Sequence, residues 1–285
     1  MLQGKLCTVH ALEQKMIKPW WMLFSLWGVD VSVVALCWGV LIAALFGISL
    51  LTFGPLLLLF GVVWSYTLTT RVLRALMGRE MLFAEYYRGH VFPMLIVAFC
   101  VLLSTLWLLF FYVGQYLIAF FTLPLLFILA AHAPILKTMP HYKDLMQATA
   151  FVFACAVPAY YYGYLYAPLQ MILNSHLWCL VCLFLLFNVE RNKPLDGQAG
   201  EKAAIWVQTG LLILFVPSAY MALTGDTGIY DHQFYGTICI AAASLHYLSK
   251  WRHAMSAPVW FSLCWPGIGI PALLGILLFA PETWF

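Results

Sequence analysis

Nine apolar stretches, each about as long as a membrane-spanning helix, dominate the sequence. They cover residues 20–46, 50–76, 91–112, 115–131, 145–162, 168–187, 202–223, 232–250 and 259–281. A helix needs about 20 mainly apolar residues to cross a bilayer. Helices are also the only open element that can do so, because lipid offers no partner to a free backbone N–H. The sequence therefore predicts an all-α integral membrane protein, a bundle of about nine transmembrane helices.

The scarcity of charge supports this interpretation. Charged residues make up 9% of the 285 residues, whereas a soluble domain carries about 25%. No polar linker is long enough to separate two domains, so we predict a polar segment over 1–19 and a single transmembrane domain over 20–285. Segment 1–19 contains three lysines but no apolar core, which argues against a cleavable signal peptide.

The distribution of the cations predicts the orientation. All 14 Lys and Arg fall in one alternating set of connections, or at the helix ends that adjoin them; the set is 1–19, 77–90, 132–144, 188–201 and 251–258. The other set, near 47–49, 113–114, 163–167 and 224–231, contains none of them but includes Asp226 and Asp231. Since cytoplasmic loops are enriched in Lys and Arg, we expect a cytoplasmic N-terminus and a C-terminus on the opposite side.

Polar side chains cluster on the predicted cytoplasmic side. Arg71 and Arg74 are three residues apart, on one face of a helix. Lys143 and the run 188–202 lie in two further polar connections on that side. A cavity opening there would suit an anionic headgroup whose apolar tail lies between helices.

Two further positions stand out inside the apolar stretches. Asp30 follows about ten residues of the first stretch, which places it about 15 Å along a continuous helix. A carboxylate at that depth either makes a packing hydrogen bond or serves a ligand or proton. Gly267 and Gly269 lie between two prolines in the last stretch, which predicts a kink or a close helix approach.

Two polar motifs end predicted helices on the cytoplasmic side. The second helix ends with Tyr66 and Arg71 five residues later, and Asn188 and Asp196 follow the sixth helix. With residues 29–38 and 143–145, these motifs resemble the UbiA superfamily of intramembrane prenyltransferases, whose members have about nine helices and a cytoplasmic N-terminus. The family patterns are Y-x-x-x-D-R-x-x-D at the end of the second helix and N-D-x-x-D-x-x-x-D after the sixth, and the other two segments are similar to the family's first helix and to the start of its fifth.

The departures from these patterns concern the metal. The resemblance implies that the acidic residues hold Mg²⁺ against a diphosphate leaving group, and hard oxygen ligands are what Mg²⁺ prefers. Here Thr70 and Arg74 replace both acids of the first motif, and Val189 and Asn192 replace two acids of the second. Arg74 would repel a cation, so Mg²⁺ is a doubtful cofactor, with Asn192 and Asp196 as its remaining candidate ligands.

Three functions remain open. The resemblance implies prenyl transfer from an isoprenoid diphosphate to a lipophilic acceptor, with arginines in place of the metal. A non-catalytic lipid-binding or scaffold protein of the same fold is the second, and a transporter using Asp30 and His246 is the third. The candidate catalytic residues are Asp196, Asn188 and Asp30, and the candidate anion-binding residues are Arg71, Arg74, Lys143 and Tyr66. The partners expected are the bilayer and an isoprenoid or other lipophilic ligand, with no nucleic acid.

Overall fold

The protein is built from helices. A computed structural model of it describes residues 20–46, 48, 54–77, 83–112, 115–131, 141–162, 172–192, 198–224 and 229–279. Of these residues 94% are helical and none lies in a strand. In chain order the α-helices are α1 Trp20–Leu26, α2 Val29–Leu45, α3 Gly54–Leu76, α4 Ala84–Gly89, α5 Val91–Tyr112, α6 Gln115–Ala131, α7 Tyr142–Tyr162, α8 Ser175–Asn192, α9 Gln198–Thr224, α10 Ile229–Trp251, α11 Ala257–Cys264 and α12 Pro266–Phe279.

Each predicted apolar stretch contains helical residues, but not every helix is as apolar as a typical span. Within the described residues, four segments are long and apolar enough to cross a membrane: Gly54–Leu76, Val91–Leu108, Ala203–Thr224 and Pro258–Leu277. α2 is apolar but shorter. α7 and α8 carry charged residues near one end and pack in the middle of the bundle, where protein contacts replace lipid contacts. An all-α membrane protein is the consistent description, whereas the count of nine spans stays a prediction.

The core forms where α2, α7, α8, α10 and α12 pack on one another. Trp38 of α2 is fully buried, and its indole Nε1 donates to the Ile268 carbonyl of α12 at 3.2 Å. Gly269 lies against Val34, where an added Cβ would meet the valine side chain. The close approach predicted from Gly267 and Gly269 is thereby confirmed. α5 and α9, in contrast, present most of their side chains outward.

Side-chain contacts place one set of helix ends together. Asn192 at the end of α8 donates to Asp144 at the start of α7 at 2.8 Å, and Arg252 pairs with Glu190 at 3.4 Å. Arg88 of α4 donates to the Ala75 carbonyl near the end of α3 at 3.2 Å. We call this the arginine end of the bundle, defined by Arg71, Arg74, Arg191 and Arg252.

The other end of the bundle carries a different pair. His176 at the start of α8 lies 3.2 Å from Asp231 at the start of α10. The described residues thus separate arginines from Asp231 along the helix axes, as the charge distribution in the sequence predicts. Segment 1–19 and residues 280–285 lie outside the described part of the chain, so the placement of the two termini relative to a membrane stays a prediction.

The first apolar stretch is not one helix. α1 ends at Leu26 and α2 begins at Val29, and Gly28 between them has a φ of 73°, in the left-handed region. Asp30 consequently lies in the first turn of α2, so the prediction that it lies inside one continuous helix is wrong. The N-terminus of a helix favours a carboxylate, because its free N–H groups point towards it.

Replacing Gly28 with alanine tests the break. An alanine at a left-handed φ is strained by about 1–2 kcal/mol, and its Cβ would lie 2.9 Å from Cγ2 of Thr67. We expect Gly28→Ala to lower the apparent melting temperature of the detergent-purified protein. Gly236→Ala is the matched control, because nothing lies within 4 Å of a Cβ there. Equal stability of the two variants would contradict the assigned break.

Candidate functional site

The break between α1 and α2 leaves the Leu26 and Trp27 carbonyls without a backbone donor among the described residues, and the Ser25 carbonyl with the Gly28 N–H alone, at 3.2 Å. Side chains of α3 and α4 donate to these carbonyls. Nη1 of Arg71 donates to the Ser25 carbonyl and lies 3.4 Å from the Leu26 carbonyl. The Tyr87 hydroxyl donates to the same Leu26 carbonyl at 2.9 Å. The indole of Trp64 donates to the Trp27 carbonyl at 2.8 Å. Membrane helices tolerate a break when neighbouring groups satisfy the freed backbone in this way.

Burial fixes the protonation state of Tyr87 and the orientation of Arg71. Burial raises the pKa of the Tyr87 hydroxyl, so that the phenol remains a hydrogen-bond donor at neutral pH. The Arg71 guanidinium is 5% exposed and lies over the Phe261 ring, 5.2 Å from its centroid. Arg71 is therefore fixed by α1 on one side and by α11 on the other.

Beside Arg71 a cavity of about 390 Å³ opens between α2, α3, α6, α7 and α8. One part of its wall is polar and the other is apolar and aromatic. The polar lining residues are Tyr66, Thr67, Thr70, Arg71, Arg74, Gln147, Asn188 and Arg191. The apolar lining residues are Val31, Val62, Val63, Pro124, Leu125, Ile128, Ala150, Phe151, Ala154, Phe184 and Trp265.

Three arginines define the electrostatics of the polar part. Nη2 of Arg71 is buried and has no hydrogen-bond partner among the described residues. Arg191 lies over the Trp265 ring, 5.4 Å from its centroid, and interacts electrostatically with both Arg71 and Arg74. No Asp or Glu is among the described lining residues. Three guanidinium groups without a described lining carboxylate favour an anion over a cation in this part of the cavity.

Aromatic rings form much of the remaining wall. The Phe151 ring lies 4.7 Å from Phe184 and 5.5 Å from Trp265, measured between centroids. Trp265 is 6% exposed, and its Nε1 has no hydrogen-bond partner among the described residues. A ligand for this cavity would accordingly combine hydrogen-bond acceptors with a hydrocarbon chain.

The structure brings together four of the residues proposed from the sequence. Tyr66, Arg71, Arg74 and Asn188 all line the cavity. Asp30 is not in the lining, but it interacts electrostatically with Arg71 and Arg191. One nitrogen of Arg71 is engaged by backbone carbonyls, so this residue has a structural task in addition to the proposed binding one.

Two other candidates, Lys143 and Asn192, are not brought into the cavity. Lys143 is an exposed residue of α7 and does not line the cavity. The side chain of Asn192 is exposed and donates to Oδ1 of Asp144 instead. Asp196 lies outside the described residues. Lys143 thus does not join Arg71 and Arg74 in the cavity lining, and its proposed role in anion binding stays a prediction.

The residues present do not fit a magnesium site. Among the described residues no group of three or more His, Cys, Asp or Glu side chains could hold a metal ion. Glu190 is fully buried and paired with Arg252, away from the cavity lining. The Thr70 hydroxyl donates to the Tyr66 carbonyl at 2.8 Å. Neutral oxygens beside three guanidinium groups offer Mg²⁺ neither its preferred ligands nor a favourable potential.

Sequence reasoning missed two contributors to the cavity. Arg191 follows Asn188 by three residues, and this spacing places both on one helix face, which could have predicted that they line the same cavity. Trp265 lies at the junction of α11 and α12, and nothing in its local sequence indicates a cavity wall. Its contact with Arg191 arises only when α8 packs against that junction.

Comparison with known proteins adds no relative. No family model, no curated protein and no solved structure matches the chain.

Substitutions of Arg71 and Arg74 distinguish an arginine that stabilises the fold from one that only lines the cavity. Arg71→Gln removes the charged donor from the Ser25 and Leu26 carbonyls, which keep the Gly28 N–H and the Tyr87 hydroxyl as partners. Loss of a hydrogen bond from a charged group destabilises by about 1.5–3 kcal/mol. Arg74 makes no hydrogen bond or ion pair to a described residue, so Arg74→Gln should leave stability unchanged. Thermal unfolding of the two purified variants measures this. Similar melting temperatures for both would contradict the capping role of Arg71.

Proposed function

We propose that this membrane protein binds an isoprenoid diphosphate in the cavity, with the diphosphate at the three arginines and the prenyl chain against the aromatic wall. The observation that carries the proposal is the division of one cavity into a cationic part and an apolar part. Arginine suits the headgroup because its planar fork donates two parallel hydrogen bonds to phosphate oxygens. The resemblance to the UbiA superfamily in the sequence motifs supports the same ligand class.

Prenyl transfer to a lipophilic acceptor is the reaction proposed for this complex. The C1–O bond of the prenyl diphosphate breaks, and the diphosphate leaves with the electron pair. Arg71, Arg74 and Arg191 would stabilise the charge that develops on the leaving oxygens. The faces of Phe151 and Phe184 would stabilise the allylic cation. The acceptor carbon then bonds to C1 and releases a proton.

A non-catalytic carrier is the second proposal, and one observation favours it. The described lining contains no carboxylate that could act as a general base for the acceptor. Mass spectrometry of the protein incubated with prenyl diphosphate and aromatic acceptors separates the two. A prenylated acceptor supports transfer, whereas a retained and unmodified diphosphate supports the carrier. Transport is less supported, because neither Asp30 nor His246 is among the residues that line the cavity.

We further propose that the prenyl chain enters from the bilayer between α3 and α6. These two helices border the cavity but pack mainly on different neighbours, α3 on α2 and α5, and α6 on α7. Tyr66 of α3 and Leu125 of α6 line the cavity and are also 37% and 54% exposed. Side chains that face both the cavity and the outside are expected at an opening to lipid.

Removing single arginines tests headgroup binding. Hydrogen bonds to charged groups contribute about 1.5–3 kcal/mol, so Arg74→Gln and Arg191→Gln should each weaken binding of radiolabelled geranyl diphosphate roughly tenfold or more. Equilibrium dialysis of the detergent-purified protein measures the affinity. Lys250→Gln is the control, since Lys250 is exposed and does not line the cavity. Failure of the wild-type protein to bind any prenyl diphosphate would refute the proposal.

Adjacent leucines on α6 test the entrance. Leu125→Trp should narrow the opening, and we expect weaker binding of a long polyprenyl diphosphate with little change for geranyl diphosphate. Leu126→Trp is the control, because Leu126 is 58% exposed but does not line the cavity. Equal effects of the two substitutions on the long ligand would argue against entry between α3 and α6.

A further inference from the structure

The polar part of the cavity is lined by positively charged side chains, which favour an anion and disfavour a metal cation. Arg74 and Arg191 line it without an ion pair to a described residue, and Nη2 of Arg71 lacks a hydrogen-bond partner there. The one amide in the second motif that lines it, Asn188, uses its nitrogen on the Asp144 carbonyl at 3.2 Å. A divalent cation would meet neutral oxygens and three positive charges.

The described acidic residues near this part of the cavity do not line it. Glu190 pairs with Arg252. Asp144 accepts from Asn192 at 2.8 Å and lies 3.5 Å from His141. Asp30 is near Arg71 and Arg191, and its Oδ2 is buried without a hydrogen-bond partner among the described residues. None of these three carboxylates therefore faces a ligand in the cavity.

Asp196 lies outside the described residues, so the inference rests on the lining residues alone.

We infer that the cavity takes the metal-free diphosphate and that Mg²⁺ opposes binding instead of supporting it. The inference rests on the proposed function and reverses what the UbiA resemblance implies for the metal. Mg²⁺ chelated by a diphosphate occupies oxygens that the arginines need and cancels two of the ligand's negative charges. The arginines therefore compete with Mg²⁺ for the same oxygens.

The test is binding of geranyl diphosphate to the full-length purified protein with EDTA, or with enough Mg²⁺ to saturate the ligand. Ionic strength is matched with potassium chloride, because salt alone screens the arginines. We expect full affinity in EDTA and about tenfold weaker affinity in Mg²⁺. Binding that Mg²⁺ strengthens or leaves unchanged would overturn the inference. Absence of binding in both conditions would refute the proposed function itself.

A charge-reversed variant provides the matched comparison. Thr70→Asp combined with Arg74→Asp places two carboxylates on one face of α3, where the family pattern has its first acidic pair. In this variant Mg²⁺ should strengthen geranyl diphosphate binding, whereas in Lys250→Gln it should weaken binding as in the wild type. A melting temperature near that of the wild type establishes that the double variant is folded. If such a folded variant responds to Mg²⁺ as the wild type does, the charge of the arginine cluster is not the cause.

Discussion

The capping of the broken first helix by Arg71 is the interaction on which the rest of the site depends. A break at Gly28 leaves the Leu26 and Trp27 carbonyls without a backbone donor among the described residues and the Ser25 carbonyl with the Gly28 N–H alone. Within a membrane such groups need further protein donors. Arg71, Tyr87 and Trp64 provide them, which ties α1 to α3 and α4. Because one Arg71 nitrogen is held in this way, the guanidinium stays buried beside the cavity with its second terminal nitrogen unpaired.

The cavity gains its character from residues that are distant in sequence. α3 contributes Arg71 and Arg74, and α8 contributes Arg191. The α11–α12 junction contributes Trp265, whose ring lies beneath the Arg191 guanidinium. The family patterns place acidic residues at two of these helix ends, and this chain has Arg74 and Asn192 where two of those acids would be. In the complex proposed above, guanidinium groups would contact the phosphate directly, where carboxylates would act through a metal ion.

The sequence predicts the helices well because hydrophobic length is a strong signal in a membrane protein. It also predicts that Arg71 and Arg74 share a face, since helical spacing is local. It does not reveal the break at Gly28, because a lone glycine inside an apolar run is tolerated in a continuous helix. The sequence also does not predict the contact between Arg191 and Trp265, because this contact depends on the packing of α8 against a distant helix junction.

The position of the bound diphosphate tests the central claim most directly. An experimental structure of the protein with a non-hydrolysable prenyl diphosphate analogue would locate both phosphorus atoms. We predict that both lie within hydrogen-bonding reach of the guanidinium groups of Arg71, Arg74 and Arg191, with the prenyl chain along Phe151 and Phe184. A headgroup bound elsewhere, or one reached through a carboxylate-held cation in this cavity, would contradict the account.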